Sequence, residues 1–139
     1  MNKQVKVTFW ALVGVFLIVL SFYLIPVARE SIRGAAFILG AGIVFLILGA
    51  ALIYFTVKSN VRGRLKKFML LTGASAAGIP VSVILHNLIY GLFIHFFGEN
   101  FWERTGMSDE PVFFVLATII CPLAFLIGVV GTAIIMTRR

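Results

Sequence analysis

The apolar stretch Val112–Met136 reads VFFVLATIICPLAFLIGVVGTAIIM and contains no charged residue. A helix of this length covers about 37 Å at 1.5 Å per residue, which exceeds the roughly 30 Å hydrocarbon core of a bilayer. The preceding tetrapeptide Ser-Asp-Glu-Pro, residues 108–111, is typical of a helix start. Ser108 is the expected cap, and the two acidic residues favour the positive end of the helix dipole. The stretch therefore predicts a membrane-spanning helix.

Three other apolar runs resemble this one, and the composition of the whole chain agrees with them. Of the 139 residues, 61% are hydrophobic and 12% are charged, whereas a soluble domain carries about 25% charged residues. We expect one membrane domain over residues 1–139, an all-α integral membrane protein with four transmembrane helices in an up-down bundle. The predicted spans are 7–27, 35–57, 68–97 with a kink near Pro80, and 112–136.

The distribution of charge predicts how the bundle is oriented. Residues 58–67 form a basic loop without acidic residues, whereas residues 98–110 form an acidic loop. Basic residues concentrate on the cytoplasmic side of membrane proteins, so we expect both termini to be cytoplasmic, in a plasma or bacterial inner membrane. The nine basic residues on that side would be Lys3, Lys6, Lys58, Arg62, Arg64, Lys66, Lys67, Arg138 and Arg139, against Arg29, Arg33 and Arg104 on the other.

Small residues recur at helical spacing in the fourth span. Lipid chains are as apolar as leucine, so contacts between spanning helices depend on close packing and polar groups. Such a stripe can pack within one bundle, or it can face a second copy or a larger membrane complex, and both interpretations stay open. The predicted helix-packing seam consists of Ala117, Cys121, Ala124, Gly128 and Thr132.

One group of polar side chains interrupts the third apolar run. Ser82, His86 and Tyr90 lie along one line of a helix and Asn87 lies beside it. Unsatisfied polar atoms are costly in hydrocarbon, so this candidate intramembrane cluster should face protein or water. It predicts interhelical hydrogen bonds or, alternatively, a site for a ligand, an ion or a proton.

No cofactor and no metal site are predicted. His86 and His95 are nine residues apart, which places them on opposite sides of a helix, so they cannot bind one haem iron together. His95, Glu99 and Glu103 have the spacing of ligands on one helix face, but Gly98 makes a continuous helix doubtful. The better interpretation of these residues is a solvated acidic loop.

The expected partners are the bilayer, including its anionic lipids, and other membrane protein. Positive charges near the cytoplasmic face bind anionic headgroups with about 1 kcal/mol each. Because the basic residues separate apolar spans, we expect no binding to nucleic acid. The candidate surface for anionic lipid or a partner comprises Lys58, Arg62, Arg64, Lys66 and Lys67.

No motif in the sequence specifies a reaction. The patterns favour a non-enzymatic membrane subunit or scaffold that associates through its helix seams, as a homo-oligomer or within a larger complex. One alternative is an oligomeric channel or carrier for a small solute that uses the polar cluster of the third span. A second is a lipid-active enzyme at the outer interface that uses His95 and the acidic residues of the loop.

Overall fold

The computed structural model describes residues 1–26 and 34–138, and over these residues all regular structure is helical. Four helices are each long and apolar enough to cross a membrane. The expected all-helical bundle of four long apolar helices is thus confirmed. The helices are α1 (Lys3–Leu24), α2 (Gly34–Lys58), α3 (Gly63–Phe97), the short α4 (Phe101–Arg104) and α5 (Pro111–Thr137). Val27, Arg29, Glu30, Arg33 and Arg139, which enter the predictions above, lie outside the described residues.

Helix α3 is the centre of the bundle, with α2 packed along one side of it and α5 along another. Helix α1 packs mainly on α2, and its Phe16 ring lies 5.1 Å from the ring of Phe125 in α5. Phe22 near the end of α1 stacks on Phe37 near the start of α2, with 4.1 Å between ring centroids. Gly42 of α2 faces Pro80 of α3 and Gly49 faces Gly73, whereas Gly128 of α5 faces Thr72 and Cys121 faces Gly78. Helix α3 therefore runs antiparallel to both α2 and α5.

The space between the four helices is filled by apolar side chains. Lipid-facing sides of the same helices expose many large apolar residues, such as Leu39, Ile47 and Ile127, which is the pattern expected when the solvent is hydrocarbon. A few hydroxyl side chains are buried in the interior, Thr56, Thr72, Ser75, Ser82 and Thr132, so the interior is uncharged and mostly apolar, and charge is confined to the ends. The buried apolar core comprises Val5, Phe9, Leu12, Phe45, Leu52, Val61, Leu65, Met69, Ala76 and Phe125.

Charged residues separate between the two ends of the bundle. Antiparallel packing brings the start of α1, the loop 58–67 and the end of α5 to one end, which we call the basic end. The opposite end, the acidic end, carries residues 98–110. In the described part of the chain, the basic end holds Lys3, Lys6, Lys58, Arg62, Arg64, Lys66, Lys67 and Arg138, and the acidic end holds Glu99, Glu103, Arg104, Asp109 and Glu110.

Helix α5 contains one turn of π-helix, Leu116–Ile120. The backbone N–H of Cys121 bonds to the carbonyl of Leu116, five residues earlier. Pro122 follows directly, and a proline ring would clash with a carbonyl four residues before it in a regular α-helix. The wider turn accommodates the proline within a continuous span.

The start of α5 differs from the sequence prediction. Glu110, and not Ser108, is the capping residue, because its carboxylate accepts hydrogen bonds from the N–H groups of Val112 and Phe113. Pro111 occupies the first helical position, where proline is favoured. The cap must therefore be the residue immediately before the proline, two positions after the predicted serine.

Helix α3 has 35 residues and extends beyond its neighbours at the acidic end. Gly42 faces Pro80, and α2 begins eight residues before Gly42, at Gly34. Because α3 is antiparallel to α2, residue 88, eight residues after Pro80, lies at the level of Gly34. Residues 88–97, which we call the overhang, thus continue for about 15 Å past the start of α2.

Candidate functional site

The most polar part of the bundle is an imidazole held between two carboxylates. His86 of α3 places its Nδ1 3.1 Å from Oε2 of Glu110 and its Nε2 3.4 Å from Oδ1 of Asp109. The two acidic residues come from the end of the connection that leads into α5. The site therefore joins the middle of α3 to the start of α5 at the acidic end.

Glu110 is the buried member of this site, with 3% of its surface exposed. One of its oxygens accepts from the N–H of Val112 at 2.7 Å, and both accept from the N–H of Phe113. These donors lie at the positive end of the α5 dipole, which favours a negative charge. A buried carboxylate requires such partners, and His86 supplies another on the opposite side.

Asp109 is the open member of the site. Its side chain is 47% exposed, and it accepts from the backbone N–H of Glu110 at 2.8 Å. Together with Met107 and Phe114 it lines an open depression on the surface of the acidic end. Glu110 also lines this depression, but it is almost fully buried, so Asp109 is the more accessible of the two carboxylates.

This arrangement limits what His86 can do. Nδ1 is within hydrogen-bond distance of Glu110 and Nε2 is within ion-pair distance of Asp109, so a protonated ring would link the connection to α3 through both carboxylates. A general base or a metal ligand needs a free nitrogen, and only movement of Asp109 would release one. The two carboxylates approach different nitrogens and do not converge. Within residues 1–26 and 34–138, no three His, Cys, Asp or Glu side chains are grouped to hold a metal ion.

Aromatic residues cover the site from the side of the overhang. Tyr90 lies one turn beyond His86, with 6.5 Å between the ring centroids. Trp102 of α4 stacks on Tyr90 at 5.7 Å with an interplanar angle of 7°, and its Nε1–H donates to the Tyr90 carbonyl at 3.3 Å. Trp102 is buried, and Phe93 packs against it. Helix α4 thereby folds back onto α3.

The structure separates the predicted polar cluster into two parts. Ser82 is buried, and His86 and Tyr90 belong to the site described above. Asn87 is exposed on another side of α3, where its Nδ2 donates to the carbonyl of Val83 at 2.8 Å. Its side chain therefore has no contact with the site.

Three residues of this site were not identified from the sequence: Asp109, Glu110 and Trp102. The sequence patterns assign the acidic pair to a helix start and to the acidic loop, and they do not place Trp102 in the candidate cluster. A signal for the pair was present, because α3 and α5 are antiparallel neighbours. The level of His86 on α3 could have been compared with the level at which α5 begins.

His95, Glu99 and Glu103 do not share one helix face. Helix α3 ends at Phe97, and Gly98 follows with a φ of 95°, a conformation that favours glycine. Glu99 and Glu103 are both exposed after this break. The Arg104 guanidinium donates to the carbonyl of Phe97 at 2.6 Å, so a positive charge lies at the negative end of α3.

The small residues of α5 face α3 within the same chain. A Cβ added to Gly128 would meet the side chain and backbone of Thr72, and one added to Gly78 would lie 3.0 Å from the sulfur of Cys121. Ala117, Gly128 and Thr132 are buried, whereas Cys121 and Ala124 are half-buried. Thr132 Oγ1 has no hydrogen-bond partner among the described residues. Gly128 and Cys121 of the predicted seam thus lie against α3 of the same chain.

The basic loop is open to its surroundings. Lys58, Arg62, Arg64 and Lys67 are exposed and Lys66 is half-buried. Lys58 Nζ lies 3.2 Å from the hydroxyl of Tyr54 and over its ring. In the part of the chain that the structure describes, the ion pairs within 4.0 Å are those of His86, so these cations can meet an external anionic surface.

No protein-family model matches this chain, and neither a curated protein nor a solved structure matches it. Function must therefore be argued from the residues themselves.

Proposed function

We propose that this chain is a non-enzymatic membrane subunit or scaffold that crosses the bilayer four times and works by associating with other membrane protein. The observation that supports this function best is the closed interior of the bundle. Its core is apolar, and its central helix contacts both neighbours at the level of the backbone. Such a unit offers its outer surfaces to partners.

The close helix contacts explain how the interior is closed. A Cβ added to Gly49 of α2 would lie 2.7 Å from the carbonyl oxygen of Gly73 and 2.8 Å from the nitrogen of Ala77, both on α3. Gly128 of α5 contacts Thr72 of α3 in the same manner. Met69 and Ala76 of α3 are fully buried. Close packing of helix backbones gives the dispersion contacts that stabilise membrane helices without a hydrophobic driving force.

We place the basic end on the cytoplasmic side, with both termini, in a plasma or bacterial inner membrane. The separation of charge supports this orientation, because basic residues close to span ends are retained on the cytoplasmic side. The exposed cations of the loop would then lie against anionic headgroups. Surface charge of this kind both fixes the orientation and holds the subunit at the inner leaflet.

A carrier is the second candidate, and the open position of Asp109 beside His86 favours it. Intramembrane ionisable residues often mark transport paths. Below this level, however, the bundle is filled by large apolar side chains such as Phe45, Leu52 and Phe125, and its buried polar groups are uncharged hydroxyls. We therefore expect a path to form between chains and not within one bundle. The carrier predicts flux in proteoliposomes that is lost in His86→Ala, whereas the scaffold predicts no specific flux.

The direct test of the scaffold is the native mass of the protein extracted in a mild detergent or in nanodiscs. One chain has a mass of 15.3 kDa. We expect a discrete particle that contains more than one polypeptide, either several copies or this chain with another protein. A single chain at every concentration, without another polypeptide, would contradict the proposed function.

A further inference from the structure

The second half of α3 presents a face that no other described helix covers. Val83, Asn87, Gly91 and His95 recur every fourth residue along it, and all four are exposed. Residues at this spacing lie on the same side of a helix. We call this stripe the 83–95 face. It carries no Lys, Arg, Asp or Glu.

Asn87 is the polar residue at the centre of this face. It lies at the level where α5 begins, because its neighbour His86 reaches Glu110. Its bond to Val83 uses one amide N–H, so the side chain still offers a second N–H and a carbonyl oxygen. At the edge of the hydrocarbon such groups are incompletely hydrated and gain from a protein partner.

Gly91, one turn further, is not required by packing within the chain. A Cβ added there would meet nothing within 4 Å, unlike one added at Gly49 or Gly128. Glycine in a helix costs about 1 kcal/mol relative to alanine. A glycine on an outer face has no side chain, however, so the backbone of a second helix can approach it closely. A Cβ added to Gly40 of α2 would also meet nothing within 4 Å. The residues one turn away from Gly40 are Ala36 and Val44, however, whereas Gly91 has the exposed amide of Asn87 one turn away.

Membrane insertion restricts which partner fits this face. Two copies inserted in the same orientation can be related only by an axis along the membrane normal, so identical residues meet at the same depth. A face that pairs in this way must be complementary to itself. An Asn amide is self-complementary because it holds both a donor and an acceptor, and glycine against glycine permits close approach.

We propose that two copies of this chain pair along the 83–95 face of α3, with Asn87 amides hydrogen-bonded across a twofold axis and Gly91 at the point of closest approach. This pairing rests on the proposed function and names one partner for it, a second copy. In this pairing the α5 seam stays packed within each chain, and the basic loops remain free to bind other partners.

The first test is disulfide formation between single cysteines in lipid vesicles of phosphatidylcholine and phosphatidylglycerol. In a Cys121→Ala background, Gly91→Cys should form an intermolecular disulfide on mild oxidation, even at low protein-to-lipid ratios. Leu24→Cys and Val112→Cys serve as controls, since these exposed residues lie toward the same end of the bundle on α1 and α5. Rates for Gly91→Cys no higher than for both controls would overturn the pairing.

The second test measures the strength of association by dilution in the same vesicles. Asn87→Leu should raise the dimer dissociation constant about three- to twentyfold, the range of single hydrogen bonds between membrane helices. Gly91→Leu should raise it further by blocking close approach. Gly40→Leu is the matched control, because it adds the same side chain to an equally open glycine and should leave the constant unchanged.

The outcomes separate this inference from the proposed function. If both α3 variants retain the wild-type mass, or if the particle contains one copy with another protein, the α3 pairing is wrong while the scaffold stands. If the wild-type protein is a single chain at every concentration, both are wrong. Because Asn87 and Gly91 lie outside the packed core, the variants can be checked for an unchanged thermal transition.

Discussion

The two halves of α3 are built on different principles. In the half toward the basic end, residues 63–80, small side chains bring α3 against α2 and α5, and six of its residues are buried. In the half toward the acidic end, residues 81–97, only Ser82 is buried. There the helix is held by side-chain contacts, namely the carboxylates at His86 and the ring of Trp102.

This difference separates the part of α3 that is packed within the chain from the part that has an exposed face. Backbone contacts through Gly49, Gly73 and Gly128 leave no room for another partner. Side-chain contacts at the acidic end occupy one side of α3, and no described helix covers the 83–95 face. A single long helix thereby serves as the packing centre of the chain at one end and as an outer surface at the other.

The largest expected effect comes from a substitution that disrupts the packing of α2 against residues 63–80 of α3. Gly49→Ala places a methyl group against the backbone of Gly73 and Ala77, which cannot move as a side chain can. We expect a loss of about 3 kcal/mol, the upper part of the range for overpacking, measured by unfolding in mixed detergent micelles.

The matched control is Gly14→Ala in α1, where an added Cβ meets nothing within 4 Å. Alanine favours a helix more than glycine does, so this variant should be at least as stable as the wild type. Equal losses in the two variants would show that the α2–α3 contact is not the cause.

The next effect concerns the side-chain contacts of the other half. Glu110→Ala removes the cap of α5 and the partner of His86, which should cost about 2 kcal/mol in the free energy of unfolding. Asp109→Ala removes the open partner, and we expect less than about 1 kcal/mol because exposed pairs contribute little. A larger loss for Asp109→Ala than for Glu110→Ala would reverse the assignment of the buried partner.

A smaller effect is expected at Trp102. Trp102→Phe keeps an aromatic ring against Tyr90 but removes the hydrogen bond to its carbonyl, with a cost of about 1 kcal/mol. The loss should appear as faster proteolysis of the 98–110 connection, with little change in the global transition. Phe101→Leu on the same short helix is the control, since it leaves the hydrogen bond intact. Equal protection of the wild type and Trp102→Phe would contradict a role of this bond in holding α4.

The sequence was sufficient to predict the class of the fold, because the four apolar runs exceed the thickness of a bilayer and few charges interrupt them. It also identified His86 as unusual on its helix. The residue pattern of α3 alone does not predict which polar side chains meet His86, since that requires comparing its level with the level at which the antiparallel α5 begins. Asn87 illustrates the limit: it follows His86 directly, but a turn of 100° places it on another face. The capping residue of α5 is Glu110 and not the predicted Ser108, because Pro111 fixes the first helical position.

The central claim is that α3 crosses the membrane from a basic cytoplasmic end to an acidic outer end. It is tested most directly by single cysteines on either side of α3, Ser59→Cys and Ser108→Cys, in a Cys121→Ala background. Intact cells are treated with a membrane-impermeant maleimide before and after permeabilisation. We expect Ser108→Cys to react in intact cells and Ser59→Cys to react only after permeabilisation. Labelling of both positions in intact cells would contradict the crossing, and the reverse pattern would contradict the orientation.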